Sequence, residues 1–299
     1  MTGAITLSLD FELGWGVVGN GMWRRREAAG VYRDLRPSLK RFVALLDDLE
    51  IPCIWAVVGA MIEAPPDRDL GHLRGSFANR TRAFLATAEQ ATHDGRDLLD
   101  TVLTSRTPHV FGTHGYSHVL FDDADQDEIV LGQDISKATR ANEKAGLDHR
   151  FFVFPENRAA HFHLFSGSGV EVARMHALNE AAPGQRGNLA SRFCASIMRP
   201  VSPVTEIPSN DGPILHHASE LVNWGENAGR LKRTMTKRRL KLALNRAQRG
   251  DHVHFWLHPF DLVATPGLED YVQNWVKDIA KGRDRGSWSI DAREAARAA

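Results

Sequence analysis

The chain contains only two cysteines, Cys53 and Cys194, in 299 residues. Two thiols build no disulfide framework, and their spacing matches no zinc finger. Cys53 lies in an apolar run and is expected to be a small core residue. Net charge is also lacking, because 37 Lys and Arg balance 37 Asp and Glu. The whole-molecule field therefore gives no reason to expect nucleic acid as a partner. No run approaches the roughly 18 apolar residues of a membrane span. No charged n-region precedes an apolar h-region, so no secretory signal is visible and a cytoplasmic location is expected. There are no internal repeats and no low-complexity tracts of consequence.

What remains is ordinary globular material, 42% hydrophobic and 25% charged. Its length suits a single domain over 1–299. Several short apolar runs end in polar, titratable residues. Ile5–Glu12 ends in two acids, Asp10 and Glu12. Residues i and i+2 of a strand face one side, so both acids can enter one cavity. His109–Thr113 leads into His114-Gly115-Tyr116-Ser117-His118. Two histidines four apart can address one ion if a helical turn begins where the strand ends. With 14 histidines in the chain, such pairs arise by chance. The joint pattern is more specific: an acid-x-acid strand end, His-x-x-x-His at a second strand end, and His254–His258 closing a third. Two histidines and one carboxylate, with positions left for water, make a hydrolytic metal site.

Ile51–Gly59 reads as a buried parallel strand. Phe151–Phe154 reads as another, with Pro155, Asn157 and Arg158 at its functional end. Leu39, Phe42, Val43, Leu46 and Leu49 form a helical stripe with Pro37 in the first turn. Trp15 and Trp23 are either a wall for a sugar ring or loop anchors. An excursion at about 65–107 carries short helices and could act as a lid. Residues 125–145 read as a helix with Ile129, Ile135 and Ala138 inward. Residues 159–225 are irregular, with one strand-like stretch at 202–208. The segment 230–249 reads as a basic, acid-free helix with Leu231, Met235 and Leu242 on its apolar side, widened by Leu240 and Leu244. It is either a solvated face or a peripheral contact for membrane phosphates or anionic ligands. A last helix carries Tyr271, Val272, Trp275 and Ile279, and the tail around Arg293 should fray. The β–α alternation indicates an α/β fold with parallel strands.

The motifs and their order resemble the polysaccharide deacetylase superfamily, of the chitin and peptidoglycan deacetylase type. Ser8-Leu9-Asp10-Phe11-Glu12 is similar to its first motif, and Thr113–His118 to its His-x-x-x-His motif. Phe152–Asn157 falls where the family carries Arg-x-Pro, and Leu257-His258 where it carries Leu-x-His. The resemblance covers Ile5 to about Asn157, and Asp251–Leu262. It implies a distorted (β/α)7-type barrel and one divalent metal, most often Zn, with Co, Ni or Mn as alternatives. It also implies Asp10 as general base, Glu12, His114 and His118 as ligands, and His258 as general acid, although the two acids could exchange roles. Glu12 departs from the family's usual Asp and sits one residue later. Val153 occupies the place of the motif arginine, with Arg158 nearby as a substitute. The implied activity is removal of N-acetyl groups from a sugar or glycan, an intracellular precursor of a surface polysaccharide. The alternatives are hydrolysis of a C–N bond in a small non-sugar amide or imide, and a non-catalytic glycan-binding barrel.

Overall fold

The computed structural model describes residues 2–176, 200–209, 211–290 and 292. Among these, ten strands form one sheet: β1 (Gly3–Phe11), β2 (Ile54–Val57), β3 (Val110–Thr113), β4 (Phe151–Val153), β5 (Val172–Met175), β6 (Thr205–Ile207), β7 (Ile214–His217), β8 (Glu220–Leu221), β9 (His252–Leu257) and β10 (Trp288–Ile290). Their order is β6-β7-β5-β4-β3-β2-β1-β9-β8, with β10 beside the start of β1. All pairings are parallel except β6 with β7. The sheet curls until β5 and β7 reach across to β1 and β9, joining Arg174 to Ser8 and His216 to His254. This is the expected α/β architecture, a distorted (β/α) barrel. Among the described residues no helix is long and apolar enough to cross a membrane.

The period-two pattern of β1 divides its two faces. Ile5, Leu7, Leu9 and Phe11 join the main core with Leu35, Leu39 and Phe42 of the helix Val31–Asp48. Thr6, Ser8 and Asp10 face the barrel interior. The parallel register sets Ser8 level with Ile54 and Trp256, and Arg174 level with Val153 and His216. One half of the interior is apolar, formed by Ile54, Ala56, Phe151, Val153 and Val172. The other half is polar, formed by Ser8, Arg174, His216 and His254, all fully buried. Barrel interiors are more often layered with branched aliphatics.

Several expectations need correction. The helix Val31–Asp48 starts earlier than the stripe suggested, so Pro37 lies inside it and leaves the Arg33 carbonyl without its helical donor. Ile129 is 72% exposed, and Val130, Leu131 and Asp134 face inward instead. The basic helix is real, at Arg230–Ala247, but Leu231 and Leu242 are 60% and 42% exposed. It packs through Leu240, Ala243 and Ala247. The segment 159–225 contains β5, β6, β7 and β8. Cys53 is buried in the core. Cys194 and the Arg293 tail lie outside the described residues.

The polar interior predicts acid sensitivity. Burial, then the charges of His216 and Arg174, pushes His254 well below the ordinary histidine range, and burial lowers His216. In the unfolded chain both rings titrate near ~6.5. Below that pH the unfolded state binds protons that the native state refuses, so stability falls with pH. The urea midpoint should therefore drop between about pH 6.5 and 5, and less so in a His216→Phe/His254→Leu protein that folds. Equilibrium unfolding across that range checks this.

Candidate active site

The C-terminal ends of β1, β3, β4 and β9 surround a cavity of about 300 Å³. β1 places Asp10 and Glu12 in its wall, and both are at least 97% buried. Glu12 faces the loop that follows β1. A Cβ at Gly16 would lie 1.8 Å from Glu12 Oε1, so only glycine lets the loop pass that carboxylate. A Gly16→Ala protein should lose about 10- to 100-fold in metal affinity, because Glu12 must swing away. Gly19→Ala meets no atom within 4 Å and should be silent. Chelator competition checks both.

His114 and His118 reach the same point without a helical turn, which corrects the geometry assumed from their spacing. Gly115 and His118 take left-handed φ values of 75° and 61°. The turn is stapled by Asp134, fully buried on the helix Glu128–Lys144. Its carboxylate accepts from Tyr116 N at 2.8 Å, Ser117 N at 3.1 Å and the Ser117 hydroxyl, and it meets His72 Nε2 at 3.1 Å. The two imidazoles stand edge to face, with centroids 4.7 Å apart.

Three donor atoms converge there. Glu12 Oε2 is 3.0 Å from His114 Nε2 and 2.9 Å from His118 Nε2. His114 Nδ1 donates to Val153 O at 2.8 Å. A carbonyl only accepts, so Nδ1 carries the proton of the neutral ring and Nε2 turns a lone pair toward a carboxylate oxygen. A cation among the three atoms resolves that opposition. Two imidazoles and a carboxylate, with the other nitrogen of His114 bonded to a carbonyl, suit a divalent metal ion. The buried Glu12, His114 and His118 can therefore hold a metal. Burial alone would raise the Glu12 pKa, but the charges of His258 and His118, with the close approach of the His114 and His118 rings, hold it well below the ordinary value. A second group, Glu128 with His161 and His163, also clusters, but on the surface, where water competes.

His258 follows β9. Its Nδ1 donates to Asp261 Oδ2 at 2.9 Å, which leaves Nε2 in the cavity, 3.6 Å from Glu12 Oε1 and 4.0 Å from Asp10 Oδ2. Phe260 stacks on the ring at 5.0 Å. Burial pushes the His258 pKa down, but the charges of Glu12, Asp261 and Asp10 outweigh it and hold the ring at about 9.

Asp10 Oδ2 accepts from Arg174 Nη2 at 2.6 Å. This arginine comes from β5, and it stands where Arg158 was expected to act. Arg158 instead pairs with Asp122 at 2.7 Å and turns toward the surface. A run of only four residues with weak periodicity hid β5, and the only sequence signal for Arg174 was a charge inside Val172–Met175. Asn157 does line the cavity, and its Oδ1 accepts from Arg174 Nη2 at 3.2 Å. Pro155 is buried in the turn behind it. Glu156 and Asn157 take φ of 51° and 54°, a strained backbone of the kind found at functional sites. Trp15 is not a wall. It is fully buried, donates Nε1 to His93 O at 3.0 Å, and packs edge-on against Phe84 with Trp23. The aromatic residues that line the cavity are Trp256 and Phe260, and the Arg174 guanidinium lies 4.6 Å from the Trp256 ring. Arg26 also lines it, and its buried Nη1 has no partner among the described residues.

The fold resembles solved structures at low identity. A candidate polysaccharide deacetylase from Mycobacterium smegmatis matches with a TM-score of 0.56 and 15% identity, over 93% of this chain and 83% of that one. A GH57-type branching enzyme from Pyrococcus horikoshii matches at 0.52 and 9%, over 95% and 68%. A 4-alpha-glucanotransferase from Thermococcus litoralis matches at 0.50 and 12%, over 98% of this chain and 40% of that one. At these identities the likeness is one of fold. No family model matches the sequence, and neither does any curated protein.

Proposed function

We propose that this protein is a metal-dependent hydrolase that removes the acetyl group from an N-acetylated sugar or glycan. The observation that carries this reading is the convergence of three separately supported parts on one cavity: the Glu12–His114–His118 group, Asp10 held by Arg174, and His258 held by Asp261. A binding module has no use for the last two.

Hydrolysis of an amide needs a proton removed from water and another delivered to the departing amine. A divalent ion held by Glu12, His114 and His118 would polarise the carbonyl and lower the pKa of a water from about 15.7 towards ~7. Asp10 presents an unpartnered Oδ1, so its carboxylate takes the proton of the attacking water while Arg174 keeps Oδ2 in place. The carbon–nitrogen bond breaks, acetate leaves, and His258 Nε2 gives its proton to the amine. Asp261 keeps that ring protonated and aimed into the cavity. Trp256 offers an apolar face for the sugar. The likeness to a candidate polysaccharide deacetylase supports this reading at the level of fold alone.

The test is incubation of chelator-stripped protein, reloaded with Zn, Co, Ni or Mn, with a panel of N-acetyl sugars and small non-sugar amides. Released acetate from a sugar supports the proposal. Turnover confined to non-sugar amides redirects it to another C–N hydrolase. Sugar binding without acetate release, at full metal loading, overturns it in favour of a glycan-binding barrel. Metal content should fall by one equivalent in His114→Ala, a difference that the surface group around Glu128 does not affect.

A further inference from the structure

Arg174 has few anchors for a fully buried cation. Its Nη2 donates to Asp10 and Asn157, its Nη1 donates to Ser8 Oγ at 2.7 Å, and its Nε has no partner among the described residues. The Ser8 contact begins a line of bonds running away from the cavity. Ser8 Oγ lies 2.7 Å from His254 Nε2, and His254 Nδ1 lies 2.7 Å from His216 Nε2. The line of hydrogen bonds ends at His216, whose Nδ1 faces Glu206 Oε1 on the half-exposed strand β6 at 3.6 Å, an electrostatic contact too long for a hydrogen bond. The reaction proposed above uses neither histidine, although both are completely buried.

The chemistry of the atoms gives the line one direction. Arg174 can only donate, so Ser8 accepts from it and has one hydrogen left to give. That hydrogen goes to His254 Nε2, which makes Nδ1 the protonated nitrogen of His254. His216 Nε2 must then accept, and its Nδ1–H points at the Glu206 carboxylate. The reverse polarity would turn a His216 lone pair toward a carboxylate and leave the Ser8 hydrogen without an acceptor. A cation at one end and an anion at the other thus select the same arrangement. Burial keeps both rings neutral, and Phe151 packs against both at ring separations of 6.5 and 6.4 Å.

We propose that Ser8, His254 and His216 are positioning residues, a one-directional hydrogen-bond chain, polarised at its far end by the Glu206 carboxylate, that holds Arg174 against Asp10. The barrel interior is polar on this side because the base-holding arginine sits on β5 and needs an acceptor at Ser8 that does not rotate away. The effect on catalysis rests on the deacetylase reading, but the chain itself does not.

Two measurements test it. Ring ¹⁵N NMR of the metal-loaded protein at neutral pH should show His254 and His216 neutral and protonated at Nδ1, the form that free histidine disfavours. A proton on Nε2 of either ring overturns the chain, whatever the substrate proves to be. In kinetics, His254→Leu should lower kcat for acetate release about 10- to 100-fold, as a displaced catalytic constellation does. Its KM and metal content should stay unchanged. His254→Gln, whose side-chain carbonyl can accept from Ser8, should recover most of the loss. A folded, metal-loaded His254→Leu protein with wild-type kcat overturns the proposal. So does a His254→Gln protein as slow as His254→Leu, since the ring would then act by packing alone. If His254→Leu does not fold, Ser8→Ala takes its place, with the same expected fall in kcat. A wild type that releases no acetate defeats the functional reading, and the tautomer result still decides the chain.

Discussion

Asp10→Asn and His258→Ala proteins should each retain the metal content of the wild type and lose about 10²–10⁴-fold in kcat, the usual cost of removing a proton carrier. Neither side chain belongs to the three-atom group formed by Glu12, His114 and His118. Asp10 is tied to Arg174 through one oxygen and keeps the other unpartnered among the described residues. His258 is tied to Asp261 through Nδ1 and keeps Nε2 toward the cavity. Because the loss falls in the transition state, KM should change little. The wild type should also lose activity as pH rises and His258 gives up its proton. Without an ion the ring sits at about 9, with Glu12 the largest upward contribution. An ion on Glu12 offsets that charge, so the basic limb should fall at or below this value, and it should be absent from His258→Ala. Metal analysis and steady-state kinetics on the same preparations are the measurements. If Asp10→Asn loses the ion and Glu12→Gln keeps it, the two acids have exchanged roles. If both proton-carrier variants stay fully active, the mechanism is wrong.

Arg174→Leu should lose activity and be destabilised by about 3–5 kcal/mol, the cost of leaving one member of a buried ion pair alone. Both partners are at least 98% buried, so water cannot replace the lost donor. Arg174→Lys keeps the charge but not the planar fork that spans Ser8 and Asp10 together, so it should rescue stability more than rate. Arg158→Ala should change neither, because that guanidinium pairs with Asp122 at the surface. Urea unfolding and kcat for the three proteins decide the matter. A fully active Arg174→Leu with an inactive Arg158→Ala would restore the assignment suggested by sequence proximity.

The contrast between these two arginines marks where sequence reasoning failed. Arg158 is near the Arg-x-Pro position in the chain, whereas Arg174 is near Asp10 only in space, 164 residues away from it. The strand that carries it has four residues in a segment without clear periodicity, so nothing local announced it. Trp15 misled for a related reason. A tryptophan in a loop after an active-site strand has the same local sequence whether it faces ligand or core, and here the loop folds back to bury it under Phe84 and His93. Asp134 and Asp261 went unnoticed because an acid on a helix or in a turn reads as a solvated charge until the backbone amides and the ring it serves are brought to it.

Local pattern along the chain was enough for the α/β class, for the strands ending in Phe11, Thr113 and Leu257, and for the candidate group of Glu12, His114 and His118. These are local properties, since hydrophobic period and motif spacing are written within a few residues of each other. It took the folded sheet to settle which arginine holds Asp10, which acid orients His258, and that one half of the barrel interior is a hydrogen-bonded line of serine and histidines. Those are pairings between distant strands, fixed by sheet register and by the requirement that each buried polar atom find a partner, and no window along the chain contains them.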